Sequence, residues 1–258
     1  MGSLTLPRPG PGSSLQHDNM IASHLILKED QRGVRRLGTG AGLGLAAAIA
    51  LFVLPVTFLW LSTYEPGGFF TYGNSLIDVV SIALLAGALL FLVSLFEYRR
   101  AFSALRKVSG GFRVASILCL IGSIGFLLIV IVAAIVLGSA NSMVSCLRGQ
   151  PGHIYSCLKS TQPIGASIAL IGFWLGWIGA VGIVAGLILS AARYGQPALS
   201  GGGALYAILL LVLVGPFIFL FTPFEGAQYL LLAAPVLALL APAFVLAGTV
   251  RVTRTFGT

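Results

Sequence analysis

Six long apolar runs, separated by short polar segments, dominate the chain. Within each run the apolar residues are continuous instead of alternating with polar ones. A helix needs roughly 17 to 25 residues to cross the hydrocarbon core of a bilayer, and every run reaches that length. The pattern therefore predicts an all-α, polytopic transmembrane bundle with about six spans. The predicted spans are approximately 40–61, 76–96, 114–137, 164–191, 204–221 and 229–250.

Composition supports a lipid environment. The chain is 57% hydrophobic and 9% charged, whereas soluble domains average roughly 25% charged residues. A membrane β-barrel would instead show short segments of alternating hydrophobicity. Since these runs are apolar all round, helices are favoured over strands.

Basic residues lie almost entirely on one side of the predicted membrane. With the N-terminus inside and the spans alternating, only Arg148 and Lys159 fall outside. Cytoplasmic segments of membrane proteins carry such an excess of Lys and Arg, so the distribution predicts a multi-pass protein of the cell membrane with both termini cytoplasmic. The net charge of +8 is then a topology signal, and a nucleic-acid partner is not expected. The predicted inner residues are Arg8, Lys28, Arg32, Arg35, Arg36, Arg99, Arg100, Arg106, Lys107, Arg113, Arg193, Arg251 and Arg254.

Three regions follow from this topology. Residues 1–38 are predicted to be a disordered or interfacial cytoplasmic segment, because Pro, Gly and Ser are frequent at the start and charges follow. Residues 39–251 form the six-helix domain, and 252–258 a cytoplasmic tail. The first apolar run is too long and too far from Met1 for a cleaved signal peptide.

The charged entries and exits of the first two spans resemble a known family. The stretch 33–40 reads Gly-Val-Arg-Arg-Leu-Gly-Thr-Gly, the second span exits through Glu-Tyr-Arg-Arg-Ala-Phe at 97–102, and Gly-Gly-Phe follows at 110–112. Over residues 30 to 250 the chain resembles a mainly archaeal family of multi-pass membrane proteins, domain of unknown function 973. The resemblance implies a membrane bundle and no particular activity.

Two cysteines share the predicted outer loop between spans three and four. Cys146 and Cys157 have His153 between them. A disulfide is preferred there, because outer compartments permit it. Free thiols are the second reading, and a metal site the least favoured, since two thiolates and one imidazole leave a zinc set incomplete. Cys119, within span three, reads as a packing residue.

Asp78 is the one acid inside an apolar run. Acids within membranes are expensive and often functional, so Asp78 is a candidate acid at an outer mouth. Its position near the start of span two, after Asn74 and Ser75, favours a helix-capping role. Glu97 at the other end of that span is read as an interfacial partner of nearby arginines.

Span four carries glycines at four-residue spacing, as the pairs Gly172/Gly176 and Gly182/Gly186. Such pairs let two helix backbones approach closely. Packing within the same chain is the favoured interpretation, and self-association the alternative. The prolines Pro216, Pro235 and Pro242 are candidate helix kinks, and spans five and six are alternatively a re-entrant pair.

No catalytic or cofactor-binding motif is recognised in the sequence, so neither an enzyme activity nor a cofactor is predicted. The leading hypothesis is a non-catalytic membrane subunit or assembly partner that acts through helix packing, either as a homo-oligomer or with another membrane protein. The alternative is a permease or channel for a small solute, which the prolines of spans five and six and Asp78 would suit.

Overall fold

The structure is a computed structural model that describes the backbone of residues 12–54, 73–106, 109–138, 163–219 and 227–255. Side chains are described within 28–54, 82–106 except 84, 109–132, 164–212 except 166, and 233–255. The described part is entirely helical, as the apolar runs predicted. Its helices are α1 (Gly12–Ala48), α2 (Gly73–Leu105), α3 (Gly110–Gly138), α4 (Pro163–Tyr194), α5 (Pro197–Phe219) and α6 (Ala227–Thr255), with a π-helical segment at Ile49–Val53 directly after α1.

Within the described residues, four helical stretches are long and apolar enough to cross a membrane, namely Lys28–Val53, Gly110–Val132, Ser167–Tyr194 and Ala233–Thr255. The described apolar stretch of α5, Pro197–Val212, is shorter. These findings are consistent with an integral membrane protein. Six crossings and the orientation of the termini stay predictions.

The helices extend beyond the predicted spans at their polar ends. α1 continues without a break through residue 38, and α6 reaches Thr255, inside the predicted tail. α2 runs about two turns past residue 96, and α5 begins at Pro197. Hydropathy marks only the apolar part of a helix. The helix itself continues into polar sequence, because its backbone hydrogen bonds do not depend on apolar side chains.

The six helices form a closed ring. Each packs against the next in sequence, and α6 packs against α1. The described arginines lie just past the middle of α1, at the start of α3 and at the ends of α2, α4 and α6. Because Gly33 of α1 lies against Leu105 at the end of α2, antiparallel packing collects them at one end of the ring. We call this the basic end.

A Schellman turn joins α4 to α5 at the basic end. Gly195 has φ +62°, and the Gln196 N–H donates to the Ala191 carbonyl at 3.3 Å. A glycine accepts this left-handed conformation without steric penalty. Pro197 then begins α5, where its missing N–H is not needed. The turn fixes the last residues of α4, Arg193 and Tyr194, at the mouth of the ring.

Candidate functional site

The π-helical segment and helices α2 to α6 expose large apolar side chains on the outside of the ring. Ile82 of α2, Ile164 of α4 and Leu211 of α5 are 67%, 76% and 69% exposed. α3 repeats the pattern at seven-residue spacing with Ile117, Ile124 and Ile131. Contiguous exposed apolar surface of this extent indicates contact with an apolar phase, so lipid is the expected solvent of this outer belt.

The inside of the ring is filled by aromatic side chains towards the basic end. Phe102 of α2 stacks on Tyr98, at 6.2 Å between ring centroids, and on Phe112 of α3, at 6.3 Å. Tyr206 of α5 meets Tyr98 edge to face at 6.4 Å. Phe102 fits because α4 has Gly186 opposite, where a Cβ would lie 2.2 Å from the Phe102 ring. We call Tyr98, Phe102, Phe112 and Tyr206 the aromatic plug.

A cavity of about 220 Å³ lies directly beyond the plug, in the centre of the ring. Its wall is formed by residues of α1, α2, α3, α5 and α6, together with the π-helical segment that continues α1. Nearly all of the wall is hydrocarbon. The lining residues are Gly44, Ala48, Leu51, Phe52, Phe91, Phe126, Tyr206, Leu209 and Ala238.

The floor of this cavity carries a small polar patch. A Cβ on Gly44 would lie 3.2 Å from the Ser94 hydroxyl and 3.4 Å from the Tyr206 hydroxyl. The Ser94 hydroxyl donates to the Gly40 carbonyl at 2.7 Å. Of these two hydroxyl-bearing residues, Tyr206 lines the cavity, whereas Ser94 does not. An apolar pocket with a few convergent polar groups is the usual form of a small-molecule site.

The π-helical segment shapes one side of the cavity. The Leu54 N–H donates to the Ile49 carbonyl, five residues back instead of four. Pro55 follows in the sequence, and because proline has no N–H it cannot donate to the Leu51 carbonyl. The widened turn packs on Gly87 of α2, where a Cβ would lie 2.7 Å from Leu51. Isolated π turns within helices are frequent at functional sites.

A partly buried ion pair crosses the basic end of the ring. The Arg193 guanidinium at the end of α4 donates to the Asp30 carboxylate of α1 at 2.5 Å, and the Tyr194 hydroxyl donates to the other oxygen of Asp30 at 3.3 Å. Asp30 is only 5% exposed. Since α1 packs mainly against α2 and α6, and α4 against α3 and α5, the pair links helices that are not neighbours in the ring.

The glycines predicted for helix packing lie mostly against α3 or α2. A Cβ at Gly172 would be 2.7 Å from the Gly125 carbonyl, and one at Gly182 would be 2.6 Å from Leu118. Gly186 faces Phe102 as described above. Gly176 differs, because a Cβ there would meet nothing within 4 Å. Spacing alone did not distinguish Gly176 from its three partners.

Other candidates from the sequence stay predictions. Cys146, His153 and Cys157 lie outside the described residues. Asp78 falls in the first turns of α2, in a stretch whose side chains are not described. Pro216 falls within α5, and Pro235 and Pro242 lie inside α6. Cys119 is a free, buried cysteine, and Glu97 accepts a hydrogen bond from Arg100 at 2.7 Å.

Sequence reasoning missed the cavity and the role of Asp30. Asp30 lies in the segment 1–38 that the sequence predicts to be disordered or interfacial, and its partner Arg193 is 163 residues away. The available signal was an acid spaced by four residues from Val34 and seven from Leu37, both fully buried. That spacing places Asp30 on the inner face of α1.

Comparisons with protein families, with characterised proteins and with solved structures gave no match. The resemblance to the archaeal membrane family therefore stays a prediction, and the helical ring with its central cavity is the basis for a functional proposal.

Proposed function

We propose that this chain is a non-catalytic membrane protein that binds a small, mainly apolar molecule in the centre of its helical ring. The observation that supports it is the apolar cavity of about 220 Å³ above the aromatic plug. An engineered apolar cavity of about 150 Å³ already binds benzene. Tyr206, the one lining residue with a side-chain hydroxyl, favours a ligand with one hydrogen-bonding group.

Photolabelling with a short-chain alkyl diazirine tests this proposal on the purified protein in lipid nanodiscs. Interior labelling, mapped by mass spectrometry to peptides with Phe91 or Ala238, should saturate and be displaced by an unreactive analogue. Labelling of the outer belt should not saturate, because lipid offers the probe an unlimited volume.

A pair of α1 variants provides the control. Ala48→Leu places a larger side chain in the cavity and should therefore reduce interior labelling at least about fivefold. Ala46→Leu makes the same change two residues away, on the exposed side, and should leave labelling unchanged. Interior labelling that resists competition, or that Ala48→Leu does not alter, would refute the site.

A permease for a small solute is the second candidate. The Asp30–Arg193 pair favours it, because an ion pair across the mouth of the ring would keep the basic end closed. Breaking the ion pair would then open that end to solute. Flux into liposomes should then rise in Arg193→Gln relative to Arg100→Gln, whose ion pair lies on one helix. Equal flux in the two variants, or none above empty liposomes, would remove this candidate.

An assembly partner acting through helix packing has less support. Gly172, Gly182 and Gly186 are occupied by helices of the same chain, so a partner would have to use the outer belt. Cross-linking in native membranes tests this role, and recovery of the monomer alone would count against it.

A further inference from the structure

A groove runs along the outside of the ring between α1 and α6 and is independent of the central cavity. Its volume is about 390 Å³. The floor is apolar and includes Leu45 of α1 with Ala243, Ala247 and Val250 of α6. Arg251 and Arg254 line the same groove at its basic end.

Small residues lie on both helices beside this groove. Gly38, Gly42 and Leu45 follow one another on one face of α1. At Gly38 the helices touch, since a Cβ there would lie 3.1 Å from the Thr249 hydroxyl. At Gly42 a Cβ would meet nothing within 4 Å. Ala243 and Ala247 on the opposite wall are also small, so the space is left unfilled.

The two arginines are available to an anion. Both are exposed, and their three-residue spacing puts them on one face of α6. Within the described residues neither forms an ion pair, whereas Arg193 and Arg100 are paired with Asp30 and Glu97. Paired guanidinium groups match the oxygens of a phosphodiester.

We propose that this groove binds an anionic phospholipid, with one acyl chain along the apolar floor and the phosphate on Arg251 and Arg254. The groove opens on the lipid-facing side of a chain that is consistent with an integral membrane protein, and its charged end lies at the level of the other arginines. A free phosphate would use the arginines but not the apolar floor. Basic pockets between membrane helices are a known form of lipid recognition.

Native mass spectrometry of the delipidated full chain provides the test. Phosphatidylglycerol should bind about tenfold more tightly than phosphatidylcholine with the same acyl chains. The double variant Arg251→Gln/Arg254→Gln should abolish this preference. Arg32→Gln/Arg35→Gln, which removes two exposed arginines of the same spacing from α1, should retain it.

Two further arms separate a lipid site from general charge attraction. Ala247→Phe fills the groove with both arginines intact and should weaken phosphatidylglycerol binding several-fold, while millimolar inorganic phosphate should not displace the lipid. Equal losses in the two double-arginine variants would overturn the proposal. So would displacement by phosphate, or unchanged binding in Ala247→Phe.

Discussion

Glycines at four-residue spacing occur on both α4 and α1, yet the two helices meet their partners differently. On α4, a Cβ at Gly179 would lie 2.3 Å from the Gly122 Cα of α3. On α1, Gly38 touches a side chain of α6 and Gly42 faces open space. The α3–α4 pair is therefore packed backbone to backbone, whereas the α1–α6 pair encloses a groove.

The difference shows that a glycine's role depends on the residue opposite it. Glycine against glycine brings backbones together, and in lipid such van der Waals contact replaces the hydrophobic effect as the force between helices. Glycine against larger residues leaves volume that another molecule can fill. One region of the ring is thus closely packed, and the other leaves open space at a glycine.

The largest expected effect comes from breaking the α3–α4 contact. Gly179→Ala should lower the free energy of unfolding by about 3 kcal/mol, because backbone atoms cannot move aside as a side chain would. The measurement is unfolding by denaturing detergent, followed by circular dichroism.

Gly176→Ala is the matched control on the same helix. The added methyl group would have no neighbouring atom within 4 Å, so the substitution should be neutral or should stabilise the fold by up to about 1 kcal/mol. If the two variants unfold at the same detergent concentration, the close α3–α4 approach is wrong.

The next effect concerns the polar link between these two regions, the Asp30–Arg193 pair. Arg193→Ala leaves the buried Asp30 carboxylate with Tyr194 alone. Losing one partner of a buried pair costs about 3–5 kcal/mol. Because the Arg193 side chain is 31% exposed, we expect roughly 1–3 kcal/mol after solvent screening.

Arg100→Ala is the control for this prediction, since Arg100 also loses an ion pair but its side chain is 61% exposed. Its cost should stay below about 1 kcal/mol. Asp30→Asn in the Arg193→Ala background should restore stability, because it removes the unpaired charge. A double variant less stable than Arg193→Ala would contradict the buried pair.

The helical architecture could be predicted from the sequence because hydropathy and charge are local signals. Each predicted span lies on one helix over its described part, the first of them continuing from α1 into the π-helical segment. Those arginines assigned to one side that the structure describes lie at one end of the ring. Such patterns need no knowledge of partners, since the length of an apolar run and the position of an arginine are read directly from the chain.

The candidate site could not be predicted in the same way. The cavity arises from residues on five helices, and no local pattern shows that Phe91 and Phe126 face each other, 4.8 Å apart between ring centroids. The π turn at Ile49–Val53 depends on Gly87 of α2 as well as on its own sequence. Which glycine faces a backbone, and which faces a groove, is likewise a property of the tertiary structure.

The smallest expected effect sharpens the comparison within α1 itself. Gly42→Ala should stabilise the chain by roughly 0.5–1 kcal/mol, because alanine loses less backbone entropy in a helix and its methyl group enters open space. Gly38→Ala brings the same reduction in the entropy lost on folding, but it places a Cβ 3.1 Å from the Thr249 hydroxyl. That hydroxyl itself donates to the Leu246 carbonyl at 2.8 Å. Gly38→Ala should therefore be the less stable of the two in detergent unfolding, and adding Thr249→Ala should narrow the gap. Equal stability of the single variants would mean that α1 lies no closer to α6 at Gly38 than at Gly42, which would contradict the contact between Gly38 and Thr249.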